Sequence, residues 1–136
     1  MLRAIIAVIA GYAAWTVIWV GSHSTIFAEA GKIAARGELN TNSRTLLGMI
    51  ALSIVCSLAA GLLCGLITPA RRGPALTLGL LLLATGLGVQ LTAWKLFPVW
   101  YHLTFLALVV PVTLLGAALA ARLGRRHELE PHALPR

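Results

Sequence analysis

Charged residues are absent from long stretches of this chain, each of which is long enough to form a whole helix. Four stretches contain no Asp, Glu, Lys or Arg, at residues 4–28, 45–70, 73–94 and 96–121. Each is longer than the roughly 20 residues that cross the hydrocarbon core of a bilayer as a helix. One charge at the centre of a span costs about 2.5 to 3.5 kcal/mol on insertion scales, so the four stretches together are a strong signal. The pattern predicts an all-α bundle of four transmembrane helices, at residues 2–21, 46–67, 74–93 and 102–122.

Prolines and polar residues mark the predicted connections. Pro69 and Pro74 enclose a short turn, so the second and third helices form a tight antiparallel hairpin. Pro111 removes one backbone hydrogen bond from the last helix, which predicts a kink near mid-span. Residues 1–123 are thus predicted to form the transmembrane domain, followed by a basic polar tail at residues 124–136.

The loop at residues 22–45 is the one long connection in this prediction. Its apolar residues recur at helical spacing, at Ile26, Phe27, Ala30, Ile33 and Ala34. This spacing favours a short helix at residues 25–36 that lies in the membrane interface and ends at Gly37. The alternative is that the first helix simply continues to Arg36.

The first stretch could also be a cleaved signal peptide, because Arg3 gives it a basic start. Its apolar part, residues 4–20, is longer than the usual h-region of roughly 7 to 15 residues. The small-x-small sequence at residues 28–30 lies far beyond the end of that part. We therefore expect the helix to be retained.

Composition and charge agree with a membrane protein. Of the 136 residues, 59% are hydrophobic and 11% charged, against about 25% charged in soluble domains. The net charge of +7 does not indicate nucleic-acid binding, because the cations lie at helix ends. If the spans alternate, one side holds seven cations: Arg3, Arg71, Arg72, Arg122, Arg125, Arg126 and Arg136. The other side holds four, so the positive-inside rule predicts that both termini are cytoplasmic.

One helix carries a stripe of small residues at four-residue spacing: Ser53, Ser57, Gly61 and Gly65. Small residues at this spacing let two helix backbones approach closely. The stripe either packs inside the bundle or forms a face for a second copy or another membrane protein. Cys56 and Cys64, eight residues apart on the same helix, are predicted to be packing residues.

A second candidate site lies toward the predicted outer face. Polar and aromatic residues there could line a vestibule: His23, Glu29, Gln90, Trp94, Tyr101 and His102. Histidines could carry protons or bind a metal ion. However, eight of the nine aromatic residues lie toward this side, and an aromatic belt at one interface accounts for them without any such role.

Chemical motifs of enzymes and proton-coupled transporters are missing from the sequence. The span centres contain no ionisable carboxylate, and no Cys-x-x-Cys, His-Glu-x-x-His or glycine-rich phosphate loop occurs. We expect no catalytic residue, no metal and no cofactor. A lipid-modifying enzyme would need a polar pocket near Glu29 or His102.

The basic start, the Arg-Arg turn, "FPVWYHLTF" and a last helix ending in "GAALAARL" resemble small four-helix proteins of the bacterial inner membrane with no assigned activity. This resemblance implies a multi-pass protein of the cytoplasmic membrane. The chain lacks the membrane-embedded glutamate of small multidrug-resistance transporters and the polar pore signature of small fluoride channels. We expect a non-catalytic protein that acts through helix association in the bilayer, as a homo-oligomer or with another membrane protein. The alternatives are a small transporter or channel and a holin-like role.

Overall fold

The computed structural model describes residues 1–69 and 72–129, with side chains described up to residue 124. This part of the chain is all-helical and contains five helices: α1 (Leu2–Thr25), α2 (Ala28–Ala35), α3 (Ser43–Ile67), α4 (Arg72–Thr92) and α5 (Val99–Leu129). Four of these are long and apolar enough to cross a membrane, namely α1, α3, α4 and the part of α5 within Val99–Gly124. The prediction of an all-α fold is confirmed, and four helices have the length and hydropathy that the predicted transmembrane spans require.

The helix ends differ from the predicted ones by a few residues. α3 begins at Ser43 because the Asn42 side chain caps it, accepting hydrogen bonds from the backbone N–H groups of Arg44 and Thr45. α5 begins at Val99, directly after Pro98, and continues to Leu129. The segment predicted as a polar tail therefore begins as helix, and residues 130–136 lie outside the described residues.

α2 is a separate helix. The chain leaves the helical conformation at Phe27 (φ −110°, ψ 25°), so α1 does not continue unbroken to Arg36. α2 ends at Ala35, and Gly37 follows two residues later with a positive φ of 71°, which glycine adopts at little cost. The Phe27 ring packs directly on Gly48, where an added Cβ would lie 3.2 Å from two ring carbons.

The centre of the bundle is the pair α3 and α5, which share the most extensive helix–helix contact. α1 packs on α3, α4 packs on α5, and the contact between α1 and α4 is smaller. α3 and α5 run parallel, since Gly61 faces Thr113 and Gly65 faces Ala117 one turn further along both helices. The starts of α1 and α4 and the ends of α3 and α5 therefore lie at one end of the bundle. The opposite end carries α2 and the turn between α4 and α5, and we refer to it as the α2 end.

Two apolar clusters fill the interior. The larger joins all four spans, with buried residues that include Ala7, Cys56, Leu78 and Val109. The smaller lies at the α2 end, where Ala30 of α2 packs with α3 residues and Tyr101. The buried polar side chains are few and lie mainly on α3, α4 and α5, and two groups of them form the sites described next.

Candidate functional site

The small-residue stripe of α3 lies against α5 of the same chain. A Cβ at Gly61 would be 2.0 Å from the Thr113 carbonyl oxygen, and one at Gly65 would be 2.8 Å from the Ala117 carbonyl oxygen. Ser53 and Ser57 are also buried. Only glycine allows the two backbones to come this close, because any side chain would overlap the neighbouring helix.

α5 contributes a matching set of small residues that the sequence analysis did not identify. A Cβ at Gly116 would lie 2.4 Å from the Leu58 carbonyl oxygen, and Ala117 and Ala120 lie against Gly65. Gly116 and Ala120 are four residues apart, the same spacing as in α3. That spacing was present in "GAALAARL" and could have indicated the partner helix. We call the contact of Gly61 and Gly65 on α3 with Thr113, Gly116 and Ala117 on α5 the α3–α5 seam.

The stripe therefore has its partner within the chain. Of the two interpretations that the sequence left open, packing inside the bundle matches this geometry. The hypothesis that the stripe is a face for a second chain does not fit this fold, because α5 covers Gly61 and Gly65 and both serines are buried within the bundle. Ser57 is also used within the bundle, where its hydroxyl accepts a hydrogen bond from the Trp15 indole N–H at 3.3 Å.

The second group is a histidine cluster at the α2 end, formed by the buried residues Gln90, Tyr101 and His102 and by Trp94, which is exposed on one side. The His102 Nδ1 lies 2.5 Å from the Gln90 Oε1, and its Nε2 lies 3.3 Å and 3.2 Å from the carbonyl oxygens of Trp94 and Phe97. His102 is 0% exposed. Its ring thus connects α4, the α4–α5 turn and the first turn of α5.

Two hydrogen-bond arrangements satisfy this ring. An imidazolium would donate from both nitrogens to the three oxygens. A neutral ring would donate from Nε2 to the carbonyls and accept at Nδ1, with the Gln90 amide turned so that its NH₂ group donates. In both cases the bonds fix the turn at residues 93–98 to the ends of α4 and α5.

Aromatic rings enclose the cluster. The Trp94 ring stacks on His102, with the centroids 4.6 Å apart and the planes at 10°. Phe97 and Tyr101 meet the imidazole edge-on, and the Tyr101 hydroxyl interacts with the Gln90 side chain. The stretch "KLFPVWYHL" therefore forms a packed turn, and its residues Phe97 and Tyr101 stabilise this turn by packing against His102.

The predicted vestibule is not assembled as an open cavity. Gln90, Tyr101 and His102 do lie together, but their exposed fractions are 4%, 1% and 0%, so they pack against one another. His23 lies on α1 in a separate row of aromatic rings, where its Nδ1 is 3.2 Å from the Trp19 carbonyl oxygen. Glu29 is exposed on α2 and pairs with Lys32 at 2.6 Å. The six residues thus belong to three different places.

A third feature, which the sequence analysis did not single out, is an open groove between α1 and α4. Its volume is about 370 Å³, and its walls are almost entirely apolar. The lining residues are Val8, Ile9, Tyr12, Ala13, Leu81 and Thr85. The Tyr12 and Thr85 hydroxyls are hydrogen-bonded to each other in this groove at 3.0 Å. We call it the α1–α4 groove.

The described side chains form no group of three or more His, Cys, Asp and Glu that could hold a metal ion. Cys56 and Cys64 are unpaired and buried in the larger apolar cluster, and neither lines a site. No protein-family model matches the chain, and neither does any curated protein or solved structure. We therefore infer its function from the geometry of the bundle.

Proposed function

We propose that this chain is a non-catalytic, multi-pass protein of the bacterial inner membrane that acts by associating with another transmembrane chain through the α1–α4 groove. The four apolar helices indicate a membrane protein. The partner is a second copy or a different membrane protein. The open groove with its hydroxyl pair is the observation that carries the proposal.

The α3–α5 seam cannot serve as the association face, because it is closed within the chain. Among the four spans, α1 is the least covered, with only Ala7, Gly11 and Trp15 buried among its 24 residues. Most of its remaining surface is apolar and includes the exposed side chains Ile5, Ile9, Val17 and Val20. α1 is thus the span with the most surface available to a neighbour.

The groove adds shape to this surface. In a bilayer, helices associate by van der Waals packing and by hydrogen bonds between polar groups, since lipid is as apolar as a leucine side chain. A groove of this size accepts side chains of a neighbouring helix, which gains more contact area there than on a smooth face. The Tyr12–Thr85 pair supplies polar groups that can bond to such a helix.

Photo-crosslinking in native membranes tests this proposal. A photoreactive side chain placed at Ile9 lies in the groove, and the matched control is the same side chain at Leu115 on α5. The two positions have similar exposed fractions, 62% and 54%, and lie toward the same end of the bundle. We expect one discrete crosslinked product from position 9 and none from position 115.

The mass of the product identifies the partner. A product of twice the chain mass indicates a second copy, and any other single mass indicates a different protein. Equal crosslinking from both positions, or lipid adducts alone at position 9, would contradict the proposal.

A further inference from the structure

Paired and unpaired charges lie at opposite ends of the bundle. The ion pairs among the described side chains, Lys32–Glu29 and Arg36–Glu38, both lie in the segment that follows α1, at the α2 end. At the other end, Arg3, Arg72 and Arg122 are exposed, and no described carboxylate accompanies them. We call this the arginine end. Its charge is therefore not neutralised by the described part of the protein.

These arginines come from three helices and lie at the same level along the bundle. Arg3 is the second residue of α1, Arg72 is the first of α4, and Arg122 is two residues before the end of the last span. α4 packs on both α5 and α1, so the helix that carries Arg72 contacts both helices that carry the other two arginines. Guanidinium groups within one turn of a span end lie at the level of the lipid headgroups.

Two helix starts favour anions locally at the same end, while the ends of α3 and α5 there carry the opposite partial charge. α1 and α4 both start there, and the start of a helix carries a partial positive charge. No side chain caps the α1 N-terminus, whereas Asn42 caps the start of α3 at the α2 end. Uncapped N–H groups beside exposed arginines add to the positive potential.

We infer that the arginine end binds the headgroups of anionic phospholipids, and that the protein collects these lipids in one leaflet. The guanidinium group matches a phosphate oxygen pair with two parallel hydrogen bonds. A phospholipid, unlike a soluble anion, also places its acyl chains against the apolar sides of α1 and α4. This inference does not depend on the α1–α4 groove having a protein partner.

The experiment compares lipid retention by the full chain in native mass spectrometry. Detergent-solubilised protein is titrated with phosphatidylglycerol or with phosphatidylcholine of the same acyl chains. The test variant carries Arg3→Gln, Arg72→Gln and Arg122→Gln. The control variant removes the same number of charges at the α2 end, through Lys32→Gln, Arg36→Gln and Arg44→Gln.

We expect the wild-type chain to prefer phosphatidylglycerol and the test variant to lose this preference, by about fivefold in affinity for each arginine removed. The control variant should keep it, and matched far-UV circular dichroism spectra show that all three proteins are folded. Equal loss in both variants, or no preference in the wild type, would overturn the inference. Displacement of the lipid by inorganic phosphate more than by chloride at equal ionic strength would also overturn it, since that result indicates a site for a soluble anion.

Discussion

Replacing Gly61 with alanine should destabilise the bundle more than any other single methyl group added to α3. The added Cβ would lie 2.0 Å from the Thr113 carbonyl oxygen, whereas ordinary contacts begin at 3.4 Å. α3 and α5 would have to separate locally by about 1.4 Å. A gap of about 0.5 to 1 Å already removes a quarter to a half of the dispersion energy of each contact.

The loss in the free energy of unfolding depends on which atoms the added methyl group contacts. Overpacking in a close-packed interior costs about 1 to 3 kcal/mol, and here the obstacle is backbone, which cannot rotate away as a side chain can. We expect about 3 kcal/mol at Gly61, even though alanine itself favours a helix by about 1 kcal/mol over glycine. The assay is reversible unfolding in mixed detergent micelles with increasing dodecyl sulfate, followed by tryptophan fluorescence.

Gly88→Ala is the matched control. Gly88 lies inside α4, and an added Cβ there meets no atom within 4 Å. This variant should be unchanged or more stable by up to about 1 kcal/mol, because only helix propensity changes. Equal stability of Gly61→Ala and Gly88→Ala would refute the α3–α5 seam.

Three further predictions concern polar groups. Gln90→Leu leaves the His102 Nδ1 without its partner in a buried site, so it should cost about 1 to 3 kcal/mol in the same assay and speed amide exchange at residues 95–97; unchanged exchange would show that the histidine cluster does not hold the turn. Tyr12→Phe removes the hydrogen bond in the α1–α4 groove and should cost about 0.6 kcal/mol, and a cost above about 2 kcal/mol would mean that the hydroxyl has a larger role. The hydrogen bond from Lys32 lowers the pKa of Glu29, so this pairing is present at neutral pH and is lost as the pH falls through the lowered pKa. In a Lys32→Gln variant, carboxyl NMR should show the Glu29 pKa moving up toward its ordinary value, and identical titrations would contradict the pairing.

The fold could be predicted from the sequence because membrane spans follow from simple rules. Long charge-free stretches identify α1, α3, α4 and α5, since the cost of a buried charge is large and local. Their ends were less predictable. Asn42 starts α3 three residues before the predicted start through a cap that hydropathy does not register, and Val99 starts α5 right after Pro98.

The candidate sites were harder to predict from the sequence, because they depend on which helices face each other. The spacing of Gly61 and Gly65 predicted a close approach correctly, but spacing alone does not say whether the partner is in the same chain. The pairing of Gln90 with His102 joins residues twelve positions apart across a turn; the sequence placed both in the predicted vestibule, but not in contact with each other. No local sequence pattern predicts the α1–α4 groove, because the groove forms where α1 and α4 do not pack closely against each other.

The α1–α4 groove as an association face is the central claim, and native mass spectrometry of the chain extracted from its own membrane in a mild detergent tests it most directly. Ala13→Trp fills the groove, and Leu115→Trp adds the same side chain to the exposed side of α5. We predict that the wild-type chain and Leu115→Trp carry one stoichiometric partner, either a second copy or a different protein, and that Ala13→Trp is released as a monomer. A wild-type monomer, or a partner retained by Ala13→Trp, would contradict the claim.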